Sequence, residues 1–208
     1  RVDATKNKFL KLNIEKKEYN QYWFSEKTIE FIVNQIDTSV SNKLGKNIED
    51  KEDNEKTQEK EESSCYKVAL VACPSIFFSL SKELQEVSFL FDIDEKLTKK
   101  HKNGVVFDFN NYEDTVKDYL QFFDFVLIDP PFIVKEVWEK FADFTKLIVK
   151  PTGRVLTCSI YENSELLKTL LGLSKREYQP SIPHLVYQYN FYSNYEDEAL
   201  CSKNPELI

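Results

Sequence analysis

An acid, two prolines and an aromatic residue end an apolar run in "LIDPPF", residues 127–132. Proline has no backbone N–H and a fixed φ, so the chain must leave the predicted strand in a stiff, extended turn. This turn would hold the Asp129 carboxylate and the Pro130 carbonyl together at the strand tip. Two such acceptors can hold the N–H groups of an amine and stabilise positive charge that develops on its nitrogen. Phe132 would then offer that amine an apolar wall or a cation–π surface.

Acidic residues also stand at the ends of two earlier apolar runs. Asp92 and Asp94 close the run that begins "VSFLF", and Asp108 follows "GVVF". Ligands of an open parallel sheet bind beyond the carboxyl ends of its strands, so all three acids are candidates for contacts with a cofactor. An acid at the second tip suits hydrogen bonds from ribose hydroxyl groups, and Asp92 is nearer that tip than Asp94. Each acid could instead cap a turn or a helix.

The turn after the first predicted strand, "ACPSIF" at residues 72–77, contains no glycine, and the whole chain has only four. A dinucleotide site needs glycine so that the backbone can approach a pyrophosphate, which disfavours a pyrophosphate cofactor. S-adenosylmethionine carries no phosphate. Its carboxylate could lie at a helix N-terminus formed by Cys73, Pro74 and Ser75, so the missing glycine-rich loop favours this cofactor.

The elements that must position these residues follow from residue 66 onward. Short apolar runs alternate with polar or amphipathic stretches suited to helices, a pattern typical of a parallel sheet with crossover helices. The last two runs read as an antiparallel hairpin with a short connection at the sheet edge, in which we expect Tyr187, Tyr189, Phe191 and Tyr192 to pack. We therefore predict an α/β fold with a seven-stranded, Rossmann-like sheet, mostly parallel, with helices on both faces. The predicted strands span residues 66–73, 87–93, 104–109, 123–129, 153–160, 173–180 and 184–193.

Composition divides the chain into three parts. Apolar residues at helical spacing in "EKTIEFIVNQI" predict an amphipathic helix within an N-terminal helical cap, residues 1–44. Residues 45–64 combine charge with a single isoleucine and cannot offset the entropy of ordering, so we interpret them as a flexible acidic insertion. An acidic docking segment is the less favoured alternative. Residues 65–208 form the predicted main domain.

Charge and cysteine usage narrow the class of protein. The net charge is −7, and residues 46–62 hold eight acids and four lysines, which leaves −3 for the rest of the chain. Because the remainder is also acidic, nucleic acid is a disfavoured partner. The four cysteines show no CxxC pair and no metal-ligand spacing with the two histidines, so we expect free thiols and no metal site. No apolar stretch is long enough to cross a membrane and "RVDATKNKFLKLN" lacks a signal-peptide core, so we expect a cytoplasmic protein without a membrane partner.

Several short motifs together carry a resemblance to a known family. The "DPPF" of residues 129–132 matches the amino-methyltransferase motif, which is shared by DNA, RNA and protein methyltransferases. With "NQYWFS", "CPS", "FDIDEKL" and "DFNN", the chain from residue 19 to about residue 192 resembles the eukaryotic elongation factor 1A lysine methyltransferases, once classed as putative adenine-N6 methyltransferases. The charged insertion departs from the compact pattern of that family.

The resemblance implies a class I methyltransferase fold, S-adenosyl-L-methionine as the cofactor and a protein substrate, elongation factor 1A, whose lysine amine would be methylated. A lysine must lose a proton before it attacks, and a carboxylate beside the amine would raise the lysine pKa, so we assign Asp129 positioning and charge stabilisation rather than strong-base catalysis. The residues are assigned as follows: catalytic, Asp129, Pro130 and Phe132; cofactor-binding, Cys73, Pro74, Ser75, Asp92, Asp94, Asp108 and Asp129; substrate-binding, Trp23, Pro131 and Phe132.

Two other functions remain open at the level of the sequence. An adenine-N6 methyltransferase of DNA or RNA would use the same "DPPF" logic, because its target is also an amino nitrogen, but it would normally need base flipping and a basic channel. A catalytically silent binding subunit could retain the fold as a scaffold, and the intact acids at three strand tips argue against it. Trp23 and its aromatic neighbours Tyr22 and Phe24 can also be read as packing residues of the cap or a lid.

Overall fold

A computed structural model of the protein describes residues 6–49 and 65–207, with helices on both faces of one sheet. The strands are β1 (Val68–Val71), β2 (Ser88–Asp92), β3 (Gly104–Val106), β4 (Phe123–Ile128), β5 (Val149–Ser159), β6 (Ser174–Lys175) and β7 (Asn190–Ser193). The helices are α1 (Lys8–Leu12), α2 (Glu26–Glu49), α3 (Pro74–Phe77), α4 (Lys82–Val87), α5 (Glu95–Thr98), α6 (Glu113–Val116), α7 (Lys135–Ile148) and α8 (Ser164–Leu171). Short 3₁₀ turns at Lys17–Tyr19, Lys117–Tyr119, Tyr161–Asn163, Ala199–Cys201 and Pro205–Leu207 join or end them.

The sheet has seven strands in the order β3-β2-β1-β4-β5-β7-β6. The first five strands of the chain pair in parallel, and β7 runs antiparallel to both β5 and β6. The predicted fold class, a mostly parallel seven-stranded sheet with antiparallel C-terminal strands, is therefore confirmed. The order reverses between β1 and β4, and the crevice of such a sheet opens at this point, beyond the carboxyl ends of the strands.

The core lies in two layers, one on each side of the sheet. Alternate residues of a strand face opposite sides. In β1, Val68 and Leu70 pack with α2, α3 and α4, whereas Ala69 and Val71 pack with α6, α7 and α8. The central strands β1 and β4 are buried along their whole length, which explains why they read as continuous apolar runs.

The long helix α2 covers one face of the sheet and is tied to it by charge. Asp124 of β4 accepts from Lys43 Nζ at 2.6 Å and from Lys150 Nζ at 2.7 Å, which joins α2, β4 and β5. The helix runs to Glu49 and so extends five residues past the predicted end of the cap. The rest of the predicted insertion, residues 50–64, lies outside the described residues.

The predicted hairpin is wrong in its details. Only Ser174–Lys175 and Asn190–Ser193 pair as strands, and residues 176–189 form a long connection instead of a short one. Prolines at positions 180 and 183 cannot donate to a ladder, so no strand pairing runs through the middle of this connection. Phe191 and Tyr192 are buried as expected, but Tyr187 is 61% exposed and does not pack the hairpin.

The sequence also led us to expect free cysteine thiols, no metal site and no membrane-spanning segment. All four cysteines are free, with Cys73 and Cys158 buried and Cys65 and Cys201 exposed. Within residues 6–49 and 65–207, no cluster of three or more His, Cys, Asp or Glu side chains could hold a metal ion. None of the helices in these ranges combines the length and apolar character needed to span a bilayer.

Candidate active site

A cleft of about 290 Å³ opens at the carboxyl ends of β1 to β4. Its walls come from the segment before α2, from the tips of four strands, from α7 and from the connection before β7. The lining residues are Glu18, Tyr19, Asn20, Gln21, Tyr22, Trp23, Ala72, Pro74, Asp92, Ile93, Phe107, Asp108, Phe109, Asn110, Asp129, Pro130, Pro131, Phe132, Phe141, Ile182, Leu185 and Tyr189.

The tip of β1 turns through a residue in the left-handed conformation, which the sequence analysis did not predict. Ala72 has φ +58° and donates its backbone N–H to the Phe91 carbonyl at 2.7 Å. This conformation costs an L-residue with a Cβ roughly 1–2 kcal/mol, and glycine is its usual sign in a sequence. Ala72 and Pro74 line the cleft, whereas the buried Cys73 and Ser75 lie behind that lining.

Asp92 and Asp94 follow each other at the end of β2 but occupy different places. Asp92 lines the cleft; its Oδ1 accepts from the backbone N–H of Asp94 at 2.8 Å, and its other oxygen accepts no hydrogen bond within the described part of the chain. Burial raises the pKa of Asp92 to about 6, although the hydrogen bond from Asp94 opposes that rise. Asp94 is turned away from the cleft, where it caps α5 through Lys96 N–H and forms an ion pair with Lys16.

Asp108 lies in the loop after β3, because the strand ends at Val106. Its two oxygens accept from the Asn110 backbone N–H at 2.8 Å and from Asn111 Nδ2 at 3.0 Å. These hydrogen bonds hold the pKa of Asp108 below its usual range. The carboxylate therefore orders the loop that presents Phe107 and Phe109 to the cleft.

Asp129 follows the central strand β4 directly. Its backbone N–H donates to the Val71 carbonyl at 3.1 Å, and its Oδ1 accepts from the Cys158 thiol with an S–O distance of 3.5 Å. Burial raises the pKa of Asp129 to about 7, although the Cys158 contact opposes the rise. None of the ion pairs among the described residues involves Asp129. The carboxylate thus faces the cleft without a cationic partner.

The two prolines have different carbonyl environments. The Pro131 carbonyl accepts from Asn20 Nδ2, and Asn20 itself adopts a left-handed conformation with φ +49°. The Pro130 carbonyl accepts no hydrogen bond within residues 6–49 and 65–207, which leaves it open beside Asp129. Phe132, 48% exposed, stands at the mouth of the cleft.

Trp23 closes the opposite wall and fixes the segment that precedes α2. Its backbone N–H donates to Glu15 Oε1 at 2.7 Å, and its indole Nε1 donates to the Asn13 carbonyl at 3.2 Å. Glu15 Oε2 in turn lies 2.8 Å from Nδ1 of His184 in the connection before β7. The segment from residue 13 to residue 23 is therefore held across the cleft.

Sequence reasoning missed two residues close to the "DPPF" turn. Tyr189, which we assigned to hairpin packing, lines the cleft, and burial together with the Asp129 charge raises the pKa of its phenol. Asn20 contacts the Pro131 carbonyl from a distance of more than a hundred residues along the chain. Asn tolerates the left-handed region, but only the folded chain shows what its side chain contacts.

The charges that line the cleft are of one sign. Glu18, Asp92, Asp108 and Asp129 are acidic, and none of the described lining residues is a lysine, arginine or histidine. Aromatic side chains make up much of the remaining wall. Such a cleft suits cationic and aromatic ligands and is unfavourable for phosphate groups.

The residues fit S-adenosylmethionine on three counts. Asp92 has an oxygen open for ribose hydroxyl groups, Phe107, Phe109 and Phe141 offer aromatic surface for an adenine ring, and the acids face a positively charged cofactor. Together with the strand order, this cleft defines an S-adenosylmethionine-dependent methyltransferase. The chain belongs to the family described as probable N6-adenine methyltransferase, whose sequence model matches residues 15–197.

Similar proteins with curated names are named as protein-lysine methyltransferases and not as adenine methyltransferases. A protein-lysine N-methyltransferase of Dictyostelium discoideum is 28% identical over 192 residues, which cover 90% of this chain and 80% of that protein. EEF1A lysine methyltransferase 1 of Danio rerio is 29% identical over 142 residues, 64% of this chain and 84% of the relative. The Homo sapiens protein of that name is 24% identical over 139 residues, 65% of this chain and 64% of the relative. Among solved structures, a predicted O-methyltransferase from Agrobacterium tumefaciens aligns with a TM-score of 0.47 at 10% identity, over 64% of this chain and 74% of that one.

Proposed function

We propose that the protein is an S-adenosylmethionine-dependent protein-lysine N-methyltransferase of the cytoplasm, and that its substrate is elongation factor 1A. The observation that carries the proposal is the charge of the cleft lining. Four acidic residues line the cleft, and the described lining residues include no lysine, arginine or histidine. The names of the relatives support a lysine as the target and, for several of them, elongation factor 1A as the protein that carries it.

The "DPPF" turn holds the incoming amine in this proposal. Asp129 Oδ and the Pro130 carbonyl accept its N–H groups, and the two prolines keep both acceptors at a fixed separation. The cofactor supplies a methyl group on a positively charged sulfur, so the protein contributes mainly alignment of the nitrogen lone pair with that group. Phe132 and Pro131 form the apolar wall along which the lysine side chain enters.

Asp129 stabilises charge in this proposal and is not a strong base. A free lysine has a pKa of about 10.4, and an adjacent carboxylate raises it further. The carboxylate does favour the positive charge that the nitrogen acquires as it is methylated. The lysine proton leaves to solvent through the open mouth of the cleft.

The cofactor is assigned to the tips of β1, β2 and β3. Asp92 accepts from the ribose, while Ala72 and Pro74 form the floor that the cofactor approaches. Cys73, Ser75 and Asp94 act from behind the lining by shaping the two turns, and Asp108 orders the aromatic loop. The proposal also keeps the predicted division of the chain into an N-terminal cap (residues 1–44), a charged insertion (45–64) and a methyltransferase domain (65–208).

An adenine-N6 methyltransferase is the second candidate, since the family's description names that reaction. Like a lysine methyltransferase, such an enzyme needs two hydrogen-bond acceptors beside the amino nitrogen that it methylates. A nucleic-acid substrate also brings phosphates to the mouth of the cleft, where it needs lysine or arginine contacts. The acidic cleft and the charge of −7 favour the lysine substrate over this candidate.

Methyl transfer from radiolabelled S-adenosylmethionine separates the two candidates. Wild-type protein is incubated with purified elongation factor 1A, with cell extract and with nuclease-treated extract, and the labelled species are located by mass. We expect label on a lysine of elongation factor 1A that survives nuclease and is lost with Asp129→Ala. Label that disappears with nuclease would support the adenine reaction, and the absence of any label from wild-type protein would contradict both candidates.

A further inference from the structure

Five exposed apolar side chains lie on segments that border the cleft or contact such a segment. Their exposed fractions are 48% for Phe132, 53% for Val134, 66% for Tyr161, 92% for Val186 and 61% for Tyr187. We call these five residues the mouth patch. Single exposed apolar residues are common on protein surfaces, but a cluster at the entrance of a cleft marks an interaction site.

Contacts within the fold bring the segments that carry the patch to one cleft. Asn163 Nδ2 donates to the Ile133 carbonyl and to Ser159 Oγ, both at 2.9 Å, which joins the segment after "DPPF" to the turn that carries Tyr161. Leu185 and Tyr189, on either side of Val186 and Tyr187, line the same cleft as Phe132.

The patch is also continuous with the cleft. Phe132 belongs to both, and Leu185, which precedes Val186, lines the cleft. Tyr189, which follows Val186 and Tyr187 in the chain, lines the same cleft as Asp129. The apolar surface thus begins where the proposed reaction site ends.

The reach of a lysine makes contact with this surface unavoidable. Its extended side chain spans roughly 6 Å from Cα to Nζ, counted from bonds of about 1.5 Å. An amine held by Asp129 and Pro130 therefore keeps the polypeptide backbone within that reach of the "DPPF" turn, whose Phe132 belongs to both the cleft lining and the mouth patch. The residues on either side of that lysine are thus brought towards the segments that carry the mouth patch.

We propose that the mouth patch binds the polypeptide segment that carries the target lysine, and that this segment places apolar side chains next to the lysine. The inference rests on the proposed function and adds the chemistry of the partner. The described lining of the cleft contains no cationic side chain and the patch beside it is apolar, so the entrance favours a polypeptide over a phosphate backbone. The target amine supplies the positive charge, and its neighbours supply apolar area.

The test truncates the two patch residues of the connection before β7, Val186→Ser and Tyr187→Ser, singly and together. Leu120→Ser is the matched control, because Leu120 is 56% exposed and precedes β4, at the end of the sheet opposite the cleft. Val186→Ile and Tyr187→Phe keep the apolar surface. Each variant is assayed with labelled S-adenosylmethionine and elongation factor 1A, or with whichever protein wild type labels on lysine in extract, and cofactor binding is measured by calorimetry.

We expect the double serine variant to raise KM for the protein substrate about tenfold, the scale of losing one well-packed interface contact. Its kcat and cofactor affinity should stay within about twofold of wild type, and the control and conservative variants should match wild type. Unchanged KM in the double variant would overturn the inference and leave the proposed function intact. Loss of cofactor affinity would overturn it too, by showing that the loop supports the cofactor site. Failure of wild type to label any protein would instead overturn the proposed function on which the inference depends.

Discussion

The Cys158 thiol donates a hydrogen bond to Asp129 Oδ1, with 3.5 Å between sulfur and oxygen. Cys158 belongs to β5 and Asp129 follows β4, so the contact crosses two adjacent parallel strands at their carboxyl ends. The thiol is buried, and its pKa lies well above the usual value because of that burial and the nearby carboxylate. Cys158 therefore stays protonated and acts as a donor that orients the carboxylate.

Removing this donor should shift the pH dependence of methyl transfer. Burial raises the pKa of Asp129 to about 7 and the Cys158 contact opposes that rise, so Cys158→Ala should move the Asp129 pKa above 7. The acid limb of the kcat–pH profile should move to higher pH, with activity at pH 9 closest to wild type. Cys158→Ser keeps a donor and should leave the limb near its original position. A uniform loss of activity at all pH values would point to packing instead of charge.

Replacing Asp129 should separate chemistry from cofactor binding. Asp129→Ala removes an acceptor for the amine, and methyl transfer should fall by roughly a hundredfold or more, the scale of losing one preorganised electrostatic group. Asp129→Asn keeps one acceptor and should retain more activity than alanine. Calorimetry should show that both variants bind S-adenosylmethionine. Equal losses of binding and activity would assign Asp129 to the cofactor site.

Asp129 should also make the folding stability depend on pH. An unfolded Asp has a pKa of about 3.9. Because the folded-state pKa is raised to about 7, the folded protein keeps a proton that the unfolded chain releases between these values. This contribution to stability is complete below the unfolded pKa and is lost as the pH rises to about 7. Asparagine does not ionise, so the Asp129→Asn variant avoids the loss of stability that wild type suffers as the pH rises. The melting temperature of the variant, relative to wild type, should therefore be higher at pH 7.5 than at pH 4.5. Equal gains at both pH values would mean that Asp129 titrates normally.

Asp92→Ala should weaken cofactor binding more than Asp94→Ala. Asp92 has an open oxygen in the cleft, whereas Asp94 caps α5 and pairs with Lys16. Loss of the Asp94 cap should cost about 1 kcal/mol of stability, measured by urea unfolding. Hydroxyl donors would stabilise ionised Asp92, whose pKa is raised to about 6 by burial, so cofactor affinity of the wild type should decline below pH 6. An affinity independent of pH from 5 to 8 would contradict the assignment of Asp92 to the ribose.

The acidic segment between α2 and β1 should be dispensable for the reaction. Residues 50–64 hold ten charged and five uncharged polar side chains and contain no aliphatic or aromatic side chain, so they cannot contribute to a core. Exchanging them for a glycine-serine linker of equal length should leave cofactor affinity and melting temperature unchanged. A large drop in melting temperature would show that the segment is structural.

Much of the site follows from local sequence pattern. Continuous apolar runs identify the buried strands, and the rule that parallel strands end at one edge brings Asp92, Asp108 and Asp129 together. The stiff exit at Pro130 and Pro131 is a property of proline wherever it occurs. These inferences hold because they depend on a few residues that are adjacent in the chain.

Tertiary contacts decided the rest, because they join residues that are far apart in sequence. The sequence favours Asp92 over Asp94 for the ribose but assigns both to the cofactor, and only the folded chain shows that Lys16 and the N-terminus of α5 engage Asp94 outside the cleft lining. Tyr189 reads as a strand residue, but β7 begins only at Asn190 and Tyr189 lines the cleft. The single sign of charge in the lining is also invisible in a chain with 28 basic residues, since only folding determines which side chains reach the cleft.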